Sequence, residues 1–194
     1  MTPIEFLTDI GSPNAYLADR VIRQRGVPVR RTPILLGGLF KLTGGASPVV
    51  TDAKVAGKLE YGMLEIERFV RRHGLDAFAM NPRFPINTLR VMRVVVAADR
   101  AGALDTCHAA LMAAMWEHGA DLSEEGALRG VLDTGGLDGA GLIAAAGTSE
   151  VKAALIANTE AAAARGAFGV PTFFVDGEMW FGKDRLDQVF EAAG

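Results

Sequence analysis

At 194 residues the chain is long enough to bury one substantial core, or one domain interrupted by a large insertion. A net charge of −3 and a pI near 5.6 argue against nucleic-acid binding, which usually needs a basic face, and no stretch nears the roughly 20 apolar residues of a membrane span. A single cysteine, Cys107, excludes an intramolecular disulfide and fits a reducing compartment. No basic region followed by an apolar run and a small-residue cleavage site opens the chain, so a soluble cytoplasmic globule is expected.

Residues 3–10 read as a strand, with Thr8 and Asp9 near its end, breaking at Gly11. Ser12 is a good N-cap and Pro13 suits the first helical position, so a helix is expected from Pro13 to about Gln24, ended by Gly26. Val27 to Leu36 is apolar and β-branched enough for a second strand, although Pro28 and Pro33 limit its central pairing. Strand, helix and strand with short connections make a right-handed βαβ unit with parallel strands.

The character changes after Gly37-Gly38. From about Ala53 to Arg165 the periodicity is helical. Val55, Leu59, Met63, Ile66 and Val70 mark one apolar face of a long helix ending near His73-Gly74. Leu89, Met92, Val95 and Val96 mark a second, closed by Gly102, and Leu104, Cys107, Leu111 and Met115 a third, stopping near Gly119. Ser123 starts a short helix, and Thr148-Ser149-Glu150 starts an Ala-rich one running to Gly166. Strand character returns at Thr172 to Val175 and Met179 to Phe181, with Asp176-Gly177 between them as a hairpin turn. An amphipathic helix from Asp184 to Ala193 closes the chain.

The order is βαβ, helical block, ββα. This predicts an α/β, thioredoxin-like fold with a large all-α insertion between the two halves: residues 1–48 and 167–194 form the thioredoxin-like domain, and 49–166 the helical insertion domain.

Ser12-Pro13 alone is an ordinary helix start; its place directly after the first strand gives it meaning. There a thioredoxin-fold redox protein carries the first cysteine of Cys-x-x-Cys, and this chain carries a hydroxyl. Thiol–disulfide exchange at Ser12 is therefore excluded. Helix N–H groups, the helix dipole and a donated O–H can instead hold a bound thiolate and lower its pKa. Gly169-Val170-Pro171-Thr172 is the second landmark, since a proline opening a central strand gives up a ladder donor.

Ser12-Pro13 with Tyr16-Leu17-Ala18, Gly169-Val170-Pro171-Thr172, and the run from Glu178 to Leu186 resemble the 2-hydroxychromene-2-carboxylate isomerases and, more loosely, the kappa-class glutathione transferases. The likeness spans nearly the whole chain. It implies glutathione as cofactor, with its sulfur at Ser12, which would be the catalytic residue. Its backbone would pair with Val170, and its γ-glutamyl end would lie at Phe181, Gly182, Lys183 and Asp184. The alternative for Asp184 is a plain N-terminal helix charge. On the substrate side the resemblance maps a lysine to Lys41, an aromatic contact to Phe84 and a nearby polar group to Asn87. Three departures fall mostly on that side. Asn14 replaces an aromatic residue, Phe181 a tryptophan, and an Asn-Arg pair is missing where Val50-Thr51-Asp52-Ala53 stands.

The leading expectation is a glutathione-dependent cis–trans isomerase of an aromatic unsaturated keto acid, in aromatic catabolism. The alternatives are a kappa-class-like glutathione transferase and a non-catalytic thioredoxin-like binding protein. The expected partner is a small aromatic carboxylate, with no nucleic acid and no membrane; a homodimer is compatible with the resemblance, although no stretch marks an interface. No metal is expected, because His73, His108 and His118 lack ligand spacing.

Overall fold

In a computed structural model, which describes residues 1–194, the first apolar run forms β1 (Ile4–Thr8) and the Ser-Pro start opens α1 (Pro13–Arg25). The Ser12 hydroxyl caps α1 by accepting the Ala15 N–H at 3.2 Å, and Gly26 ends it in the left-handed conformation that a residue with a Cβ adopts reluctantly. After β2 (Val29–Pro33) come α2 (Leu36–Thr43), α3 (Pro48–Asp52) and α4 (Lys58–His73). The helical block continues through α5 (Leu89–Arg100), α6 (Leu104–Trp116), α7 (Glu125–Thr134), α8 (Gly139–Ala145) and α9 (Ser149–Ala164). The chain ends with β3 (Thr172–Val175), β4 (Glu178–Phe181), a 3-10 turn (Lys183–Arg185) and α10 (Leu186–Ala193).

The sheet order is β2-β1-β3-β4. β1 and β2 are parallel, with Ile4 opposite Val29 and Thr8 opposite Pro33. β3 runs antiparallel between β1 and β4 and is buried along its whole length. Asp176 (φ 47°) and Gly177 (φ 84°) make the tight β3–β4 turn, the backbone a two-residue hairpin demands. Ser12 follows the C-terminal end of β1 and Val170 precedes the N-terminal end of the antiparallel β3, so the two meet at one end of the central strands. One continuous apolar core runs from the sheet through α1, α5, α6 and α9 to α10, with Trp116 fully buried. No single helix is long and apolar enough to cross a membrane.

Two expectations change. Gly37-Gly38 lies inside α2 rather than ending the first unit. The head of this helix is held from outside: the Leu35 N–H donates to Thr159 Oγ1 of α9, and the Leu36 N–H to the Asp9 carboxylate. These partners replace the side-chain cap that local sequence does not provide. The apolar face expected on the first long helix is only half used. Ile66 and Val70 are half-buried and Phe69 is buried, whereas Val55, before α4, and Leu59 and Met63, on it, are exposed. The N-terminal half of α4 is exposed, with Lys58 at its head paired to Asp52 of α3 at 2.8 Å.

Candidate active site

Ser12 is 5 % exposed at the N-terminus of α1. Its hydroxyl accepts the Ala15 N–H and donates to the Val170 carbonyl at 3.3 Å, a long bond that a stronger acceptor would displace. The Val170–Pro171 peptide is cis, and the Val170 N–H donates to no acceptor in the protein. A hydroxyl, a helix N-terminus and a free main-chain N–H thus face one place. That arrangement suits a thiolate attached to a peptide-like backbone.

The loop between β1 and α1 is fixed from several sides. Ile10 N–H points to the Met92 sulfur at 3.3 Å, and the Ile10 carbonyl accepts the Trp116 indole N–H at 2.8 Å. Asp9 is fully buried: its carboxylate accepts the N–H groups of Gly11 and Leu36 and the Thr88 hydroxyl. Burial pushes the Asp9 carboxyl above its usual value, against the pull of these donors.

The C-terminal strip joins the same place. The Gly182 N–H donates to the Pro171 carbonyl at 2.9 Å, which lays residues 181–184 beside Val170. Phe181, 43 % exposed, tilts against Phe168 at 4.5 Å between ring centroids and covers Gly169; an added Cβ there would lie 2.8 Å from the Phe181 ring. The Lys183 side chain is buried, its Nζ 5.0 Å from the Phe69 ring centre and 3.0 Å from the Asp184 carboxylate. Asp184 is open to solvent on its other side. Lys183 therefore orients Asp184 and faces away from the open side.

The substrate-side residues are less gathered. Lys41 sits in the last turn of α2 and is exposed, with no hydrogen bond or ion pair to any residue just described. Phe84 is half-buried against Trp116, ring centroids 5.5 Å apart, and so reaches the Ser12 loop through that indole. Asn87 is exposed and uses its Oδ1 to accept the Leu89 N–H at the head of α5. Reading the sequence for motifs missed Asp9, Thr88 and Phe168. For Asp9 one signal was present: an acidic residue closing an apolar strand just before Gly11-Ser12.

A model of the DSBA-like thioredoxin domain matches residues 3–193. The chain belongs to the DSBA-like thioredoxin domain family. Within it, the sequence is 29% identical over 199 residues to the 2-hydroxychromene-2-carboxylate isomerase of Pseudomonas putida, covering 98% of this chain and 94% of that one. It is also 29% identical over 195 residues to the isomerase of the same name from Sphingobium xenophagum, covering 95% and 94%. Among solved structures, a 2-hydroxychromene-2-carboxylate isomerase superposes with a TM-score of 0.81 at 26% identity, covering 98% of this chain and 93% of that one. A Streptomyces coelicolor protein, named as a probable DsbA oxidoreductase, gives 0.76 at 18% identity over 98% and 91% and speaks for the fold alone.

Within the DSBA-like family this chain has no dithiol. Its one cysteine, Cys107, is buried on α6, and burial pushes the thiol pKa up to about 12. Such a thiol is inert at neutral pH. Tyr16, one turn into α1, is likewise structural. Its hydroxyl donates to Glu117 at 2.9 Å, and burial together with that carboxylate raises its pKa to about 12 despite Arg20.

Behind β1, His108 is fully buried, with Nε2 3.0 Å from the Thr8 hydroxyl and Nδ1 without a partner. Burial lowers its pKa from 6.5 to about 4, against the attraction of Asp19. The unfolded chain then binds a proton that the folded chain refuses between pH 6.5 and 4, so stability falls as pH drops through that window. The loss is on the order of 2–3 kcal/mol at pH 4.5; His73, also lowered by burial, adds in the same direction. Urea denaturation at pH 6.5 and 4.5 should show this slope in wild type and a shallower one in His108→Gln. Equal slopes would mean His108 is not held neutral.

Proposed function

We propose that the chain is a glutathione-dependent cis–trans isomerase acting on an aromatic, unsaturated keto acid. What carries the reading is the Ser12 hydroxyl, set against Val170 whose N–H has no protein acceptor, at a helix N-terminus where a redox relative would carry a cysteine. The near full-length similarity to two proteins named 2-hydroxychromene-2-carboxylate isomerase supports an isomerase acting on an aromatic carboxylate.

The residues fit glutathione chemically. An extended peptide needs a main-chain partner, which the Val170 N–H supplies, and an α-ammonium needs a carboxylate, which the open side of Asp184 supplies. When bound, glutathione would supply a sulfur nucleophile for reversible addition to a conjugated double bond. The chain's part is to hold that sulfur ionised. Ser12 would turn its O–H from the Val170 carbonyl toward the sulfur, and the first turn of α1 would add its dipole. The Phe168–Phe181 pair adds apolar surface beside Gly169, next to Val170 in the chain. Lys41, exposed in the last turn of α2, is the cation this reading assigns to a substrate carboxylate.

The test is a progress curve with a cis/trans pair of unsaturated aromatic keto acids and free thiol measured alongside. Isomerisation with constant free glutathione is the expected result. Steady consumption of glutathione would instead make the protein a transferase, and glutathione binding without turnover a carrier. Asp184→Ala should weaken glutathione binding roughly tenfold in calorimetry, the worth of one exposed charge-assisted contact. Unchanged affinity would remove Asp184 from the binding set.

A further inference from the structure

We infer that Asp9 is a positioning residue for this site: its side chain ties the loop that carries Ser12 to the head of α2 and to the entrance of α5, and so sets the two sides of the site relative to each other. The inference rests on the reading of Ser12 as the thiolate-holding group.

Asp9 Oδ1 accepts the Gly11 N–H at 2.8 Å, while Oδ2 accepts the Leu36 N–H at 2.8 Å and the Thr88 hydroxyl at 3.2 Å. Its carbonyl takes the Ser12 N–H at 3.1 Å. These contacts reach three separate elements. Gly11 adjoins Ser12, Leu36 opens the helix that bears Lys41, and Thr88 follows the stretch that bears Phe84 and Asn87. The junction is close-packed, since a Cβ on Gly11 would lie 2.7 Å from the Thr88 methyl and 3.3 Å from Asp9 Oδ1. No cation pairs with this fully buried carboxylate. Burying it that way is costly, and an apolar side chain at a strand end would avoid the cost. What the carboxylate does, and an apolar group or an amide would not, is accept two main-chain N–H groups from different elements at once. Asparagine has one oxygen. Its NH2 would face an N–H donor, so one of the two contacts must open.

The experiment compares wild type with Asp9→Asn, reading backbone amide exchange by NMR, glutathione affinity by calorimetry, and turnover. The expected result has three parts. The Gly11 or Leu36 amide exchanges on the order of 100-fold faster, while β1 and β3 amides keep their protection. Glutathione affinity stays within about threefold. Turnover falls on the order of 100-fold, because displacement of the reacting groups by a fraction of an ångström costs rate rather than binding. A merely structural Asp9 would instead lower protection throughout the sheet and weaken binding in step; that pattern overturns the inference. Unchanged exchange at both amides overturns it too, as does faster exchange with undiminished turnover.

Should Asp9→Asn fail to fold, Leu36→Pro deletes one donor and leaves the carboxylate. Proline suits the first position of α2, and Leu35 before it is already extended (φ −99°, ψ 108°). The same drop in turnover with retained affinity is expected, and wild-type turnover in this variant overturns the inference. If wild type itself isomerises nothing, the isomerase reading fails by that result. Asp9 is then judged on amide exchange, where unchanged Gly11 and Leu36 amides overturn its role.

Discussion

Ser12→Ala should lower glutathione-dependent turnover on the order of 100-fold, the usual loss when one preorganised donor is removed from developing charge. The hydroxyl now spends its hydrogen on the Val170 carbonyl at 3.3 Å and its lone pair on the Ala15 N–H. A thiolate is the better acceptor, so the O–H can turn to it by rotation about one bond while the cap on α1 stays in place. Alanine removes donor and cap together. Loss of the cap costs about 1 kcal/mol, too little to unfold a domain of this size. The fold should therefore survive, and circular dichroism with thermal denaturation will separate the two effects. The ultraviolet absorbance of bound thiolate, followed against pH, should show its pKa moving up in the variant. Wild-type turnover in Ser12→Ala would end the role given to this hydroxyl.

The largest stability loss is expected from Asp19→Ala, about 3–5 kcal/mol. Asp19 is fully buried on α1, accepts the Arg31 Nε–H at 2.8 Å and the Arg23 Nε–H at 2.7 Å, and lies 3.8 Å from His108. Burial opposes its ionisation, but His108, Arg31 and Arg23 outweigh that and hold the carboxyl below its usual value. Removing it leaves the Arg31 guanidinium buried, with only the exposed Asp105 carboxylate at 2.7 Å. An uncompensated buried charge is the costly case. A fall in Tm of roughly 10 °C is expected for a chain of this length. The double variant Asp19→Ala/Arg31→Met should recover part of it, because an apolar replacement of the whole pair removes the stranded charge. A loss below about 1 kcal/mol in the single variant, measured by urea denaturation, would show that the network contributes little.

Much of the fold was legible in the chain. Ser12-Pro13 and Gly26 bracket α1, and Asp176-Gly177 sets the β3–β4 turn; each acts through the backbone conformation of its own few residues. The apolar spacing of Leu89, Met92, Val95 and Val96 and of Leu104, Cys107, Leu111 and Met115 marks α5 and α6 because the core covers that face of each helix. α2 escaped notice for the opposite reason. Two glycines argue against a helix there, and what holds its head comes from Asp9 and Thr159, residues far away in sequence. On α4 the period was right and the burial was not, since whether a stripe is covered depends on where the rest of the core ends.

For the site, local chemistry named Ser12 and the Val170-Pro171 segment, and resemblance supplied the strip from Phe181 to Asp184. Sequence alone thus determined which side chains can cap, turn or donate, because those properties are settled within a turn or two of chain. Only the tertiary structure decided that the Ser12 hydroxyl meets the Val170 carbonyl across 158 residues, that Lys183 turns inward to Asp184, and that Asp9 joins three elements. Such contacts are set by how strands register and helices pack, and a hydrogen bond between distant residues leaves no periodic trace in either of the segments it joins.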